Sequence, residues 1–323
     1  MVRQLNLSHP SNLHAVITII GYRSQGESVI FRIVDGIETK YCLVVDSYKL
    51  KQRNVTLEFL IDKYNVSHID MLCWSHPHID HSKGLSELIE RLCGEKTEYI
   101  LPAHFYNQPG IDLVTIQNKE EKVTIDEIFN INSKTKLVAT SVEVKTGSHN
   151  QLECFTLVCA GLEPIPVGIF ALTPISSILG DYVVSKKHNI DPNELSISLL
   201  IDINGYKIFL GADTIRTHIA QIDTSMLEGC KFVKIPHHGS STSLDLLNYL
   251  PVSIDAACTT VYHLKGDLPE KSVIDRYKTK GPVFCTGDYL RNNRHSGAVE
   301  FDVLFDEENI EYRVVCYNAA KML

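Results

Sequence analysis

Trp74-Ser-His-Pro-His-Ile-Asp-His81 places four metal-ligand side chains, His76, His78, Asp80 and His81, within six consecutive positions. A lone histidine is usually a packed core residue, but three histidines and an aspartate at H-x-H-x-D-H spacing form a metal-binding pattern. In an extended segment His76 and His78 point to one side, whereas the adjacent Asp80 and His81 diverge as the chain turns. That layout divides between two ions. A histidine pair serves the first, and an aspartate with a histidine serves the second, so that one bridging hydroxide is shared. Asp80 therefore stands among the catalytic candidates as well as the ligands.

Upstream, residues 15–22, 28–34 and 40–45 are rich in β-branched and aromatic side chains and are punctuated by Gly21, Gly26 and Gly36. They predict an antiparallel meander that ends at Asp46. Leu57, Leu60, Ile61 and Tyr64 recur at helical spacing, and a strand over 69–73 then delivers the metal motif at its C-terminal end. Leu85, Leu88, Ile89 and Leu92 repeat the helical spacing, which puts Asp80 and His81 at a loop-to-helix junction. Cys73 reads as packing. A strand is expected over 98–101, a loop over 102–110 and a helical stretch near 123–129.

The second half repeats this grammar. Runs over 196–203 and 206–210 flank Asn204-Gly205, the dipeptide suited to a type I′ hairpin. The second run leads into Gly211-Ala212-Asp213, leaving the Asp213 carboxylate at a strand end. It could bridge two cations or cap a helix predicted over 214–222; the upstream motif favours the bridge. Next, Phe232-Val-Lys-Ile-Pro-His-His-Gly-Ser-Ser-Thr-Ser243 runs from a strand into paired histidines, a glycine and four hydroxyls, ahead of an apolar helix over 244–250. One of His237 and His238 completes the second metal. His237, emerging directly behind Pro236, is the preferred ligand, which leaves His238 and Ser240 to face substrate. Gly239 permits close backbone approach, and the hydroxyls with the helix N-terminal amides can cradle an anionic oxygen. Capping accounts for Ser243 but not for two adjacent histidines. Lys234 reads as a solvated strand residue.

The 323 residues, 44% hydrophobic, can build a large core, and one domain over 1–323 is expected. A net charge of -8 argues against a surface that coats nucleic acid generally and leaves room only for a local basic groove. Nine cysteines without a C-x-x-C pair read as reduced thiols rather than a disulfide framework. The most apolar stretch, 155–175, contains Glu163 and is broken by Pro164, Pro166 and Pro174, and no signal-peptide pattern opens the chain. A soluble, cytoplasmic protein with no membrane contact is expected.

His76-x-His78-x-Asp80-His81, Asp213 after a hairpin, and His237-His238-Gly239-Ser240 resemble, in that order, the motifs of the metallo-β-lactamase fold, specifically the hydrolase domain of ComEC-type competence proteins. Gln25-Gly-Glu-Ser-Val-Ile-Phe-Arg32 is similar to that family's early G-x-G-D-S strand, and Asp46 to its first aspartate. Asn193-Glu-Leu-Ser-Ile-Ser-Leu-Leu200 is similar to its N-x-x-S strand, and Cys285-Thr-Gly-Asp288 with Gly297-Ala-Val-Glu300 to its terminal element. The resemblance covers most of the chain. It implies an α/β fold, a four-layer αββα metallo-β-lactamase sandwich with metals at the edge between two sheets. It also implies His76 and His78 on the first metal, Asp80 and His81 on the second, Asp213 between them, His237 or His238 closing the second site, and Asp46 orienting a ligand histidine. The wider fold carries one more ligand histidine, for which His104, His149 and His188 are candidates; ComEC-type members resemble this chain in being weak there.

Two divalent ions, zinc or manganese with iron as a further option, suit phosphodiester hydrolysis, since a pair about 3.5–4 Å apart activates water and stabilises the leaving oxygen. A loosely completed first site favours activation by added manganese. The expected activity is that of a nuclease or phosphodiesterase, DNA favoured, with the unliganded member of the histidine pair protonating the leaving group. The alternatives are a small-molecule or nucleotide phosphodiesterase, or a metal-binding subunit of a bacterial defence complex; a partner protein is expected in either setting. A di-iron oxidase on this fold would use glutamate where His78 stands, and β-lactamase activity needs export.

Overall fold

The three glycine-bounded runs pair as an antiparallel meander, Leu13–Gly21 with Glu27–Asp35 and Glu27–Asp35 with Glu38–Val45. The computed structural model describes residues 3–8, 13–23, 25–102, 139–159, 163–184, 191–263, 266–288, 297–305 and 310–323. On one side the meander adds Gly297–Phe305 and Ile310–Asn318; on the other it continues in parallel through Met71–Cys73, Glu98–Pro102 and Ala139–Val142, giving an eight-stranded sheet. A nine-stranded sheet runs in the order Arg3–Asn6, Asn150–Val158, Ile165–Ala171, Leu199–Ile203, Tyr206–Leu210, Cys230–Lys234, Ala256–Thr259, Val283–Cys285 and Lys321–Met322.

Alternation along the strands decides which core each side chain joins. Ile17, Ile19, Phe31, Leu43, Leu199, Ile201 and Ile208 face one another in the layer between the sheets. Their neighbours Ile20, Ile30, Val44 and Leu72 face outward against Leu57, Leu60, Leu85, Leu88 and Ile89 of the helical segments. Leu200, Phe209 and Val233 likewise turn outward to Ile219, Leu246, Val273 and Ile274. Each fully buried side chain of this kind contributes on the order of 1.5–3 kcal/mol. The four layers are helix, sheet, sheet, helix, the αββα arrangement of a metallo-β-lactamase sandwich.

Several elements differ from their sequence expectation. The helix expected around Leu57 is a single α turn, Val55–Glu58, that continues as a π-helix, Phe59–Lys63. The wider turn brings Tyr64 to Thr18 Oγ1 at 2.8 Å. The helix expected over 214–222 is confined to Arg216–Ile219, and the apolar helix expected over 244–250 is a 3-10 helix, Ser241–Asn248. The hairpin holds, with Asn204 and Gly205 both at positive φ, 50° and 91°. The stretch near 123–129 lies outside the described residues. Among the described residues no helix is long and apolar enough to cross a membrane.

Candidate metal centre

Parallel pairing brings the site together at strand C-terminal ends. Val45 is registered with Cys73, and Asp46 N–H donates to the Cys73 carbonyl at 2.9 Å, so Asp46 lies beside the start of the histidine motif. Leu210 is registered with Lys234, and His237 N–H donates to Ala212 carbonyl at 2.9 Å, so the Asp213 loop lies beside the histidine pair. Ile197 N–H donates to the Ser75 carbonyl at 3.0 Å, tying the two sheets together where these loops meet. As the sequence implies, Asp80 and His81 fall in a short helical turn, Ile79–Ser82.

Asp80, His81, Asp213 and His238 form one buried group of potential ligands, and His76, His78 and Asp213 form a second. Asp213 is common to both. In the first group His81 Nε2 lies 3.4 Å from Asp80 Oδ2 and 3.5 Å from Asp213 Oδ2, and His238 Nε2 lies 3.3 Å and 3.5 Å from the same oxygens. Donors about 2.1 Å from a common centre at the corners of a tetrahedron are roughly 3.4 Å apart, so these separations are those of a four-donor metal site. His81 Nε2, His238 Nε2 and Asp213 Oδ1 are buried without a hydrogen-bond partner. Buried polar atoms are rarely left so. The residues therefore fit a metal ion.

The second group has three donors, with His76 Nε2 3.0 Å from His78 Nδ1 and 3.9 Å from Asp213 Oδ2. Of the candidates for a further histidine, His149 instead meets Asp223 at 3.1 Å and is absent from either group, while His104 and His188 lie outside the described residues. Ser196 of the N-x-x-S stretch stands behind His76: its Oγ accepts from Asp213 N–H at 3.2 Å and lies 3.2 Å from His76 Nδ1. Ser75 gives its hydroxyl proton to Asp46 and lies 2.9 Å from the same Nδ1. With that proton committed, Ser75 accepts from His76 Nδ1–H, and Nε2 keeps its lone pair for the centre.

Asp46, His76 and His81 make a third close group, but of a different kind. Both Asp46 oxygens are occupied, Oδ1 by Ser75 N–H at 2.7 Å and Oδ2 by the Ser75 hydroxyl and by His81 Nδ1 at 2.7 Å. Asp46 is thus fully engaged by Ser75 and His81, and lies behind the two groups of potential ligands. Charge follows the same division. Burial works against charge on His81, but Asp213, Asp80 and Asp46 outweigh it and push the imidazole well above its ordinary range. For His238 burial is outweighed by Asp213 and Glu27, raising it to about 9. Burial keeps His76 well below its ordinary value, and lowers His78. A donor set that draws positive charge onto two of its imidazoles is one that divalent cations suit.

The structure reverses the sequence preference within the histidine pair. His238 joins the ligand group, whereas His237 is only half-buried and pairs through Nδ1 with Thr242 Oγ1 at 3.0 Å. Consecutive left-handed residues, His237 at φ 49° and His238 at φ 51°, turn the chain so that the second ring faces inward. For non-glycine residues this conformation costs roughly 1–2 kcal/mol each. Gly239 follows at φ 76°, where a Cβ would lie 2.6 Å from the Pro269 side chain.

Three other expectations are corrected. The helix cap is Ser240, whose hydroxyl accepts from Thr242 N–H at 3.4 Å, while Ser243 bonds back to the Ser240 carbonyl at 2.7 Å. The amides expected to cradle an anion are partnered internally: Gly239 N–H with Pro236, Ser240 N–H with His237, Ser241 N–H with Glu270 and Ser243 N–H with Ser240. Lys234 is fully buried, not solvated, and its ammonium pairs with buried Glu27. Glu27 also lies 3.2 Å from His238 Nδ1; burial would raise its carboxyl, but Lys234 and His238 hold it at about 2. The alternative reading of Asp213 as a helix cap is excluded, because Ile215 occupies that position. Cys73 is buried packing, with its thiol pushed well up by burial.

Tyr262 was not foreseen. Its ring stacks on His238 with centroids 4.7 Å apart and planes at 14°, and it is half-buried at the rim of the site.

No protein-family model matches the sequence, and no curated protein matches it. Among solved structures, the fold is similar to a protein assigned as a metal-dependent hydrolase from Parabacteroides distasonis, at 12% identity and a TM-score of 0.40, covering 86% of this chain and 96% of that one. It is also similar to a mutant of the β-hydroxylase CmlA, at 13% identity and a TM-score of 0.35, covering 78% of this chain and 36% of that one.

Proposed function

We propose that the protein is a dinuclear-metal-dependent hydrolase of phosphodiesters, a nuclease with DNA as its favoured substrate, of the ComEC type. The observation that carries this reading is the sharing of Asp213 between a four-donor and a three-donor ligand group. Divalent ions held there would supply an activated water and neutralise charge on the leaving oxygen, the two demands of phosphodiester hydrolysis.

The chain's own residues divide the remaining work. Asp80 and Asp213 are held as carboxylates, well below their usual range despite burial, by the neighbouring His81 and His238. Without metal, the charge drawn onto His81 and His238 offsets these two carboxylates, and divalent cations bound there would take over that role. His237, beside the ligand group but outside it, is the residue we assign to protonate the leaving alkoxide, with Thr242 fixing its ring. Ser240 serves His237 indirectly, since Thr242 also donates to Ser240 Oγ at 3.3 Å.

The test is a panel of single- and double-stranded DNA, RNA and a chromogenic phosphodiester, each assayed with added manganese, zinc and iron. Metal-dependent cleavage of DNA above the others is expected. A folded protein that binds two ions per chain and hydrolyses none of these substrates would overturn the reading.

A further inference from the structure

Behind His238, on the side away from the ligand group, a buried lysine of one sheet meets a buried glutamate of the other. Lys234 ends Cys230–Lys234 and Glu27 begins Glu27–Asp35; their side chains are 1% and 2% exposed. The Lys234 ammonium pairs with Glu27 Oε1 and donates to the Ala212 carbonyl at 3.0 Å, one residue before Asp213. Thr260 donates its hydroxyl proton to Glu27 Oε2, and its Oγ1 lies 2.7 Å from His238 Nδ1.

Two buried charges cost several kcal/mol each in lost hydration, and well-packed apolar side chains often replace such a pair without loss of stability. Stability is therefore a poor reason for this pair. Hydrogen-bond direction supplies a better one. A hydroxyl has one proton, and Thr260 commits it to the carboxylate, so towards His238 both Thr260 and Glu27 can only accept. In the neutral ring Nδ1 must then carry the proton, and Nε2 presents its lone pair towards Asp80 and Asp213. Ser75 and Asp46 impose the same order on His76 from the other half of the fold.

We propose that Lys234 and Glu27 are positioning residues of the metal centre: the pair orients Thr260, and through it fixes the ring and tautomer of His238, while Lys234 also pins the backbone that carries Asp213. This rests on the reading of the ligand groups as a metal centre. It assigns a role to two residues that touch neither metal nor substrate. Removing the partner behind a ligand histidine typically lowers metal affinity 10- to 100-fold, roughly the effect expected here.

The experiment titrates zinc and manganese separately into the purified full chain against a chromogenic chelator. Glu27→Gln and Thr260→Val should weaken one of the two binding events by roughly 10- to 100-fold and leave the other near wild type, while Thr260→Ser, which keeps the hydroxyl, restores it. Lys234→Met also frees the backbone ahead of the shared Asp213 and should weaken both events; where it fails to fold, the double variant Glu27→Gln with Lys234→Met replaces the ionic pair with a neutral one and carries the same expectation of weakening at both. In the zinc-loaded wild type a slowly exchanging Nδ1 proton of His238 should be visible by NMR, and it should exchange faster in Thr260→Val. Wild-type affinity for both ions in Glu27→Gln and Thr260→Val overturns the proposal. A wild-type chain that takes up no divalent ion overturns the metal-centre reading instead, and this inference falls with it.

Discussion

His81 donates from Nδ1 to Asp46 Oδ2 at 2.7 Å while its Nε2 lies 3.5 Å from Asp213 Oδ2. One ring thus links a carboxylate behind the site to the carboxylate shared by both ligand groups. Asp46 reaches its place at the end of the meander by adopting a left-handed backbone, φ 59°. It holds His81 and the Ser75 hydroxyl at once, so the orientation of both histidines on its side of the centre depends on one residue.

Asp46→Asn keeps the shape of that residue and changes its hydrogen bonding. The amide nitrogen would face either the Ser75 backbone N–H or His81 Nδ1–H, donor against donor. Metal affinity should fall roughly 10- to 100-fold, with thermal unfolding still cooperative. Chelator competition measures the first, and calorimetry the second. Unchanged affinity would mean that Asp46 stabilises the loop without orienting a ligand.

Asp213→Ala removes the one side chain common to both groups and should abolish uptake of both ions, whereas His78→Ala should spare the four-donor group. Elemental analysis after dialysis separates the two outcomes. Ligand binding at about 100-fold above its dissociation constant stabilises a fold by about 2.7 kcal/mol, so added manganese should raise the unfolding temperature of wild type and leave Asp213→Ala unmoved. An equal rise in both proteins would place the metal elsewhere.

The parts of the fold and site that were legible in the sequence are those coded locally. Apolar alternation in the meander, the Asn204-Gly205 turn and the tight H-x-H-x-D-H run each carry their meaning within a few residues. The pairing of Glu27 with Lys234 does not: each sits in a strand where a charged residue ordinarily faces solvent, and only the packing of two distant strands buries both. Choosing between His237 and His238 also lay beyond local pattern, because it depends on consecutive positive φ angles. Ser240 rather than Ser243 became the cap for the same reason, since the left-handed turn at His237 and His238 sets where the 3-10 helix begins.

His237→Ala and His238→Ala should differ. His238→Ala removes a member of the four-donor group, and metal content and turnover should fall together. His237→Ala leaves the ligand group whole, so metal content should stay near wild type while turnover slows by roughly 10²- to 10⁴-fold if His237 is the general acid. A leaving group that needs no proton should recover most of that loss. Equal metal content and near-normal turnover in both variants would remove the pair from the mechanism.

The last prediction concerns acid stability, away from the metal centre. Glu300 in Gly297–Phe305 accepts from Lys63 Nζ at 2.8 Å, from the Tyr64 hydroxyl and from the Tyr317 hydroxyl at 3.0 Å. Burial would raise its carboxyl, but the bonds from Lys63 and Tyr64 outweigh burial and hold it below the ordinary value of 4.5. A carboxyl lowered in the fold stabilises it fully above the unfolded value and loses that contribution as pH falls through the folded one. Solvent reaches this cluster through Lys63, so its worth is on the order of 1 kcal/mol. Glu300→Gln should therefore lower the unfolding temperature by about 1–2 °C at pH 7 and by progressively less as pH falls below about 4.5. Thermal melts of both proteins from pH 7 to pH 3 measure this convergence; a constant gap across that range would show that the lost contribution is packing rather than charge.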